Sequence, residues 1–491
     1  MSDLEQWQAS NARQLSAALA EVRRRLDGSK APPDSATAPT PELPSALTIL
    51  GQRFGLSAFE RDILLLCAAV ELDTRTAGLC ARAQDDPAKP FPTFALALAI
   101  FDQPTWDALA PDGPLRYWRL LEINQAGVHG LTSSSLRADE RIVNYLKGLN
   151  HLDERVASFT EPLEIEAGAV ELAPSQLVIA ETISRRWSQV APGGPLPVAQ
   201  LLGADSISKQ LVAHAVAAKL QRNLCRLPAE LLPSAAADLE TLARLWERES
   251  RLLPLALYLD AEDAEASVLH RFLARTDGFC FLATREAMAR PGRIHFAVDV
   301  AKPTPAEQEA IWSNELSAEA PESPAQLGAQ FNFNLPTIRR LAPLARAESA
   351  ESAVPLAETV WELCRQSERR RLDALAQRLE PKMTWDDLVL PPNETKLLRE
   401  IAAQVGHRQT VYEAWGFARK MNRGFGISAL FAGESGCGKT MAAEVLAHEL
   451  RLNLYRIDLS AVVNKYIGET EKNLRRLFDA AEEGGSILFF D

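Results

Sequence analysis

The run Gly433-Glu434-Ser435-Gly436-Cys437-Gly438-Lys439-Thr440 matches the phosphate-binding pattern G-x-x-x-x-G-K-[ST] at every fixed position. Glycines let a backbone wrap closely around phosphate, and a helix starting behind them points unpaired N–H donors at the phosphate oxygens. At this spacing Lys439 would reach the β- and γ-phosphates, and the Thr440 hydroxyl would bind Mg²⁺. The expected ligands are therefore ATP and Mg²⁺. A second candidate lies 51 residues beyond Thr440, where Ile487-Leu488-Phe489-Phe490 runs into Asp491. An acid closing an apolar strand is well placed to hold Mg²⁺ through its water shell. The carboxylate that polarises the attacking water normally follows it, and there is no residue 492. A strand of central-sheet character is also an unusual terminus, so the chain is expected to be part of a longer protein, with poor turnover of its own.

The elements that must position these residues form an α/β unit beginning near Trp385. The pattern predicts a helix over 397–405, a strand over 426–432, a helix from near Lys439 over 441–449, a strand over 454–458, a helix over 471–482 and a last strand at 487–491. A second α/β unit precedes it. Strands are predicted at 197–203, 255–260, 279–284 and 294–300, with a helix over 210–220 and helical segments around 303–316 and 335–356. Apolar runs separated by helical patterns predict mostly parallel sheets covered on both faces.

Further upstream, residues 1–25 suggest an amphipathic helix, which either docks on the body or meets a partner. The Pro/Ser/Thr/Ala-rich stretch 27–44 reads as a flexible linker. From about 46 to 160 the pattern is helical. Ser57 with Glu60 forms a capping-box signature ahead of the apolar run Ile63 to Val70. Elements flank Phe101 to Trp106, a short strand is predicted at 117–123, and a helix beginning at 133–139 would end near Gly148. Helices with a small strand pair fit a winged-helix domain, of a kind that meets DNA or protein; no basic recognition helix is evident. The expected division is 1–45, helix and linker; 46–165, helical or winged-helix-like; 166–345, α/β; 346–383, helical linker; and 384–491, α/β.

Composition narrows the class. The 491 residues are 47% hydrophobic, ample for several cores. The net charge of -12 argues against non-specific DNA coating, although a ring or channel can concentrate positive charge locally. The six cysteines are too scattered for a disulfide framework or a zinc knuckle. No signal peptide or bilayer-length apolar run is seen, so a soluble cytoplasmic protein with no membrane partner is expected.

The P-loop, Phe489-Phe490-Asp491 and the intervening Lys465-Tyr466-Ile467-Gly468-Glu469-Thr470-Glu471-Lys472-Asn473-Leu474 together resemble the AAA+ ATPases, especially their classical branch. The resemblance implies a ring, a hexamer by analogy, in which ATP sits between subunits and a neighbour supplies an arginine to the γ-phosphate. Tyr466 lies 26 residues beyond Thr440, the spacing of the family's first pore loop. With Ile467 beside it and Gly468 for mobility, it would grip a threaded polypeptide, or else fold back on its own domain. Glu469, Glu471 and Lys472 would pair between subunits or be ordinary solvated residues. Trp385, Asp386 and Asp387 resemble the segment that passes near the adenine, with edge packing of Trp385 as the alternative.

The earlier α/β unit resembles a degenerate copy. Leu202-Gly203-Ala204-Asp205-Ser206-Ile207-Ser208-Lys209-Gln210 stands at the place of a P-loop. Gly203 and Lys209 are kept, but Ile207 and Ser208 replace a small residue and a glycine, and Gln210 replaces the hydroxyl. Asp260 stands where the Mg²⁺-organising acid would be, Ala261 replaces the catalytic glutamate, and Thr284 resembles the polar residue ending the next strand. The whole layout resembles bacterial AAA+ proteins associated with contractile injection systems, carrying an inactive first and an active second ATPase unit. The function so implied is ATP-driven remodelling or threading of a protein partner. Two alternatives stay open: a DNA-associated AAA+ regulator, and an assembly scaffold in which hydrolysis is incidental.

Overall fold

The computed structural model describes residues 3–28, 43–125, 130–165, 171–191, 193–262, 264–316, 320, 323–352, 354–373, 376–407, 411, 415–417, 426–434, 436–458, 474–475, 477–481 and 485–490. They fall into two compact units, one of Met1–Glu164, Arg186–Gln200 and Ala217–Ala297, the other of Ile165–Arg185, Leu201–Val216 and Val298–Asp491.

The N-terminal part begins with α1 (Asp3–Leu26), followed by α2 (Ala46–Phe54), α3 (Ala58–Leu72), α4 (Arg75–Ala83), α5 (Phe94–Ile100) and α6 (Pro114–Tyr117). α1 docks on the body. Leu15, Val22 and Leu26 are buried in the same core as α2 and α3. The buried Asn11 accepts from Ala46 N at 2.8 Å and donates to Leu146 O at 2.9 Å, so one amide ties three segments together. Ser57 and Glu60 form both halves of the capping box that starts α3. An antiparallel pair, β1 (Leu121–Asn124) and β2 (Ser135–Ala138), leads into α7 (Glu140–Leu146). The strand expected at 117–123 therefore starts at Leu121, behind the helical turn α6. The stretch 133–139, expected to begin a helix, is mostly β2, and α7 starts only behind the Asp139 cap. Its alternating burial is the period of a strand, which the sequence reading took for a helix start.

α8 (Glu154–Ala157), β3 (Glu161–Pro162) and α9 (Pro174–Ser188) lead into a six-stranded sheet. It comprises β3, β4 (Val198–Leu202), β5 (Asn223–Pro228), β6 (Leu255–Asp260), β7 (Cys280–Thr284) and β8 (His295–Asp299), in the order β3-β5-β6-β7-β4-β8. β5, β6 and β7 pair in parallel, and β3 lies antiparallel on β5. Buried residues occupy every position but the last of β4 and β6, and all of β7, as befits strands covered on both faces. α10 (Ser206–Lys219), α11 (Ala236–Leu252) and α12 (Ala266–Leu273) make the crossovers. β4, β6, β7, β8 and α10 were anticipated, whereas β3, β5, α11 and α12 were not.

Four helices follow: α13 (Pro305–Leu316), α14 (Ser323–Gln330), α15 (Leu335–Ser352) and α16 (Leu356–Leu372). Trp312, Leu327, Phe331, Ile338, Leu341 and Val360 form their shared core. α15 runs unbroken across the expected boundary at 345. A short strand, β9 (Gln377–Leu379), appears within the expected helical linker, and α17 (Pro392–Gly406), α18 (Lys439–Leu450), β10 (Leu454–Ile457) and β11 (Ile487–Phe490) complete the chain. β10 pairs in parallel with β11 and antiparallel with β9. The strand expected at 426–432 belongs to no ladder among the described residues, and Leu430 is 93% exposed. Among the described residues β11 is paired with β10 alone.

Candidate functional site

Two loops joining a strand-like run to a helix can be compared residue by residue. In the second α/β unit, Gly436 (φ 83°) and Gly438 (φ 91°) adopt left-handed backbone, which L-residues with a Cβ rarely enter. The loop therefore stays open as far as Lys439, where α18 starts. Gly438 offers no capping side chain, so the first N–H groups of α18 have no N-cap side chain to accept from them. Lys439 Nζ folds back onto the loop carbonyls of Gly433 at 3.0 Å and Glu434 at 2.9 Å. A Cβ at Gly433 would come within 2.6 Å of Cys437 Sγ, a contact that the exposed cysteine side chain could relieve by moving. Thr440 is exposed on the first turn of the helix. Helix N–H donors, the Lys439 cation at the helix start and the Thr440 hydroxyl beside it are groups with which an anion and a metal ion could engage.

Ser435, Tyr466, Ile467, Gly468 and Asp491 lie outside the described residues, as do Glu469, Glu471 and Lys472. The strand that leads to Asp491 is formed, as β11. Trp385 packs with Leu398, Ala442, Leu446 and Phe431, against the helix behind the P-loop, and the Arg399 guanidinium lies 4.9 Å over its ring. Asp387 accepts from Thr384 N and Oγ1, both at 2.8 Å, and these bonds lower its pKa. The segment is thus a capped turn with its tryptophan packed inward, and Asp386 stays exposed.

The matching loop of the first unit has a different backbone. α10 starts at Ser206, three residues before Lys209, so the part of the loop that should arch is folded into helix. Ser206, Ile207 and Ser208 carry no glycine, and nothing favours the left-handed arch. Asp205 takes over the helix end, accepting from Ser208 N at 2.8 Å. Lys209 is fully buried and donates to Gly203 O at 2.9 Å, the counterpart of the Lys439–Gly433 bond. Gly203 (φ 133°) could not be replaced, because a Cβ would meet Val300 O at 2.4 Å. Asp260 is bonded through Oδ2 to Arg226 Nη2 at 2.7 Å and Nε at 3.1 Å, which raises the arginine's pKa. An acid so engaged is a poor organiser of Mg²⁺. Ala261 is buried beside it.

Sequence reasoning missed Arg226, because β5 was not anticipated. It also missed Asp205 as a cap, although an Asp just ahead of an apolar helical run is a helix-start signal. Ile207 lies in the first turn of α10, so the loop that a small residue and a glycine would shape does not form there.

A third cluster is ionic. Arg141 meets Glu249 at 3.0 Å, Arg155 meets Asp139 at 2.6 Å and Asp153 at 2.7 Å, and Arg248 meets Asp153, Asp139 and Glu249. Arg248, Arg141 and all three carboxylates are buried. Nearby, Arg244 and Arg251 of α11 lie 4.5 Å over the Tyr117 and Trp118 rings, and Arg119 donates to Thr241 at 2.9 Å. The end of α6 is therefore occupied by α11.

Comparison with known proteins agrees with these observations. Residues 2–160 match the family model of a variant winged-helix domain, residues 304–370 that of the contractile injection system ATPase helical domain, and residues 429–491 that of the AAA ATPases associated with various cellular activities. An uncharacterized AAA family ATPase of Sinorhizobium fredii is 32% identical over 115 residues, 23% of this chain and 33% of that protein. The peroxisomal ATPase PEX6 of Neurospora crassa is 33% identical over 120 residues, 24% of this chain and 8% of that protein. Cell division protein C of Sulfolobus acidocaldarius is 29% identical over 112 residues, 23% of this chain and 28% of that protein. The matched stretch thus spans a third or less of each relative. No helix among the described residues is long and apolar enough to cross a membrane. Residues 2–160 are thus similar to a variant winged-helix domain, and residues 429–491 to the nucleotide-binding domain of the AAA ATPases.

Proposed function

We propose that the protein binds Mg²⁺-ATP at Gly433 to Thr440 and uses ATP hydrolysis to remodel or thread a protein partner from within a homo-oligomeric ring, in the cytoplasm. The observation that carries this reading is the open loop of left-handed glycines ahead of an uncapped helix, with Lys439 turned onto the loop carbonyls. In this reading the phosphates displace those carbonyls from Lys439, and the loop N–H groups and the start of α18 bind the phosphate oxygens. Thr440 would ligate Mg²⁺, and Asp491 would help to hold it. Tyr466, Ile467 and Gly468 move with hydrolysis and draw on the partner.

The first α/β domain, about 166–345, is read as a copy retained for structure. Supporting this are its helical loop and the capture of Asp260 by Arg226. The match of 304–370 to the injection-system helical domain supports a role in a contractile injection apparatus. The engagement of Tyr117, Trp118 and Arg119 by α11 favours a winged-helix domain that meets protein over one that reads DNA.

ATP binding is the direct readout of the P-loop, and remodelling is assayed under conditions in which ATP turnover is measured. There Tyr466→Ala should keep ATP affinity and lose most partner processing. Full processing by this variant would refute threading, and salt-dependent DNA binding through residues 46–165 would favour the regulator reading.

A further inference from the structure

The first α/β domain contains a feature that loss of activity alone does not require. Asp205 Oδ2 accepts two hydrogen bonds, from Ser208 N in the first turn of α10 at 2.8 Å and from Asn334 Nδ2 at 3.1 Å. Asn334 stands at the start of α15, where Thr337 Oγ1 donates to its Oδ1 at 2.9 Å. On the other side Lys302 Nζ lies 3.9 Å from Asp205 Oδ1 and donates to Asn332 O at 2.8 Å. Asp205, Ser208, Lys209 and Asn334 are all buried. Gln176 closes the cluster, donating to Ser208 Oγ at 3.1 Å and Ala301 O at 3.0 Å.

A carboxylate accepting from a helix N-terminus, flanked by lysines and tied to the following helices, makes the contacts that a bound phosphate would make. We propose that Asp205 is a built-in anion that takes the place of a nucleotide phosphate in the first α/β domain and holds helix α15 docked there without any ligand. This rests on the reading of that domain as a degenerate copy. The first domain then stays in one docked state through every ATP cycle, while the second responds to nucleotide. Three local features agree: the loop that would hold phosphate is helical, Lys209 is buried on Gly203, and Asn334 reaches Asp205 from the start of α15.

The test is chemical rescue, with Lys439→Ala present throughout so that the P-loop does not contribute. Asp205→Ala should lower the melting temperature by on the order of 4 °C, as for loss of a buried helix cap. Inorganic phosphate or pyrophosphate, with chloride at matched ionic strength as control, should recover most of that loss and leave the Asp205-containing parent unchanged. Asp205→Asn retains an acceptor oxygen and fills the seat, so it should melt between the two and gain little from phosphate. An unchanged melting temperature in Asp205→Ala, or equal phosphate effects on all three proteins, would overturn the proposal. If Asp205→Ala fails to fold, hydrogen exchange of Asp205→Asn decides: protection should fall together at 206–209 and 334–338, and unchanged protection would overturn it. ATP binding by the Lys439→Ala parent at the first domain would instead overturn the degenerate reading.

Discussion

Arg248→Met removes a guanidinium that is wholly buried in the N-terminal ionic cluster. It donates to Arg119 O at 2.8 Å, to Glu249 Oε1 at 3.3 Å and to Asp153, with Asp139 Oδ1 3.4 Å away. Three guanidinium groups balance three carboxylates in this cluster, so the variant leaves one excess negative charge in a buried site. Removing one partner of a buried pair costs about 3–5 kcal/mol. Arg155, 42% exposed, still serves Asp153 and Asp139, and Arg141 still serves Glu249. The lower end, about 3 kcal/mol, is therefore expected, or roughly a 100-fold loss of protection. Methionine keeps much of the volume, so the loss reads charge rather than packing. Hydrogen exchange of peptides from α7, α8 and α11 measures it locally. Arg137→Met, which breaks an exposed pair with Glu71, is the control and should cost at most about 1 kcal/mol.

The same variant has a signed pH dependence. Burial works to raise the Asp153 pKa, but hydrogen bonds from Arg155 and the charges of Arg248 and Arg155 outweigh it and hold the carboxyl below its usual range. A lowered carboxylate stabilises the fold above its unfolded pKa and loses that contribution as pH falls through the folded value. Glu249 is raised, mainly by burial, although Arg141 and Arg248 oppose the shift. Its ionisation therefore costs stability as pH rises, and removing Arg248 enlarges that cost. Both effects place the variant's deficit at neutral pH. Urea unfolding should show the gap to the parent narrowing from neutral pH as Glu249 is protonated, and closing only below about pH 4 as Asp153 is protonated. A loss no larger than that of Arg137→Met, or a gap that widens on acidification, would refute the reasoning.

Thiol labelling tests the loop separately. Cys437 is exposed, whereas the other five cysteines are buried, and burial pushes Cys80, Cys225 and Cys280 each up to about 11. A maleimide should modify one site on the native chain, Cys437, and Mg²⁺-ATP should slow it; rapid labelling of further cysteines would contradict the burial. Ser57→Ala removes the side chain that accepts from Glu60 N and should cost about 1 kcal/mol in unfolding experiments, while a loss near zero would show that the capping box is idle.

The sequence was most informative where chemistry and period coincide. The α/β class, the strands at 255–260 and 280–284 and the capping box could be read from apolar runs and a spaced Ser–Glu pair. The winged-helix hairpin was half legible: β1 was seen, but β2 looked like a helix start because Ser133 and Ser134 resemble caps. Docking of α1 through Asn11 could not be read, since a lone Asn on a polar face gives no hint of two backbone partners 35 and 135 residues away. The same holds for Asp205. Its sequence neighbours mark a failed P-loop, and only the fold brings Asn334, 129 residues on, within reach. Long-range polar partners are set by topology, which local pattern does not encode.

The central claim is that one intact nucleotide site lies at Gly433 to Thr440. Equilibrium binding of Mg²⁺-ATP to the 491-residue chain, with and without Lys439→Ala, tests it most directly. Loss of charge-assisted bonds to phosphate should weaken binding by roughly 10- to 100-fold, and the parent should hold one ATP per chain. Unchanged affinity in the variant, or two ATP per parent chain, would contradict it.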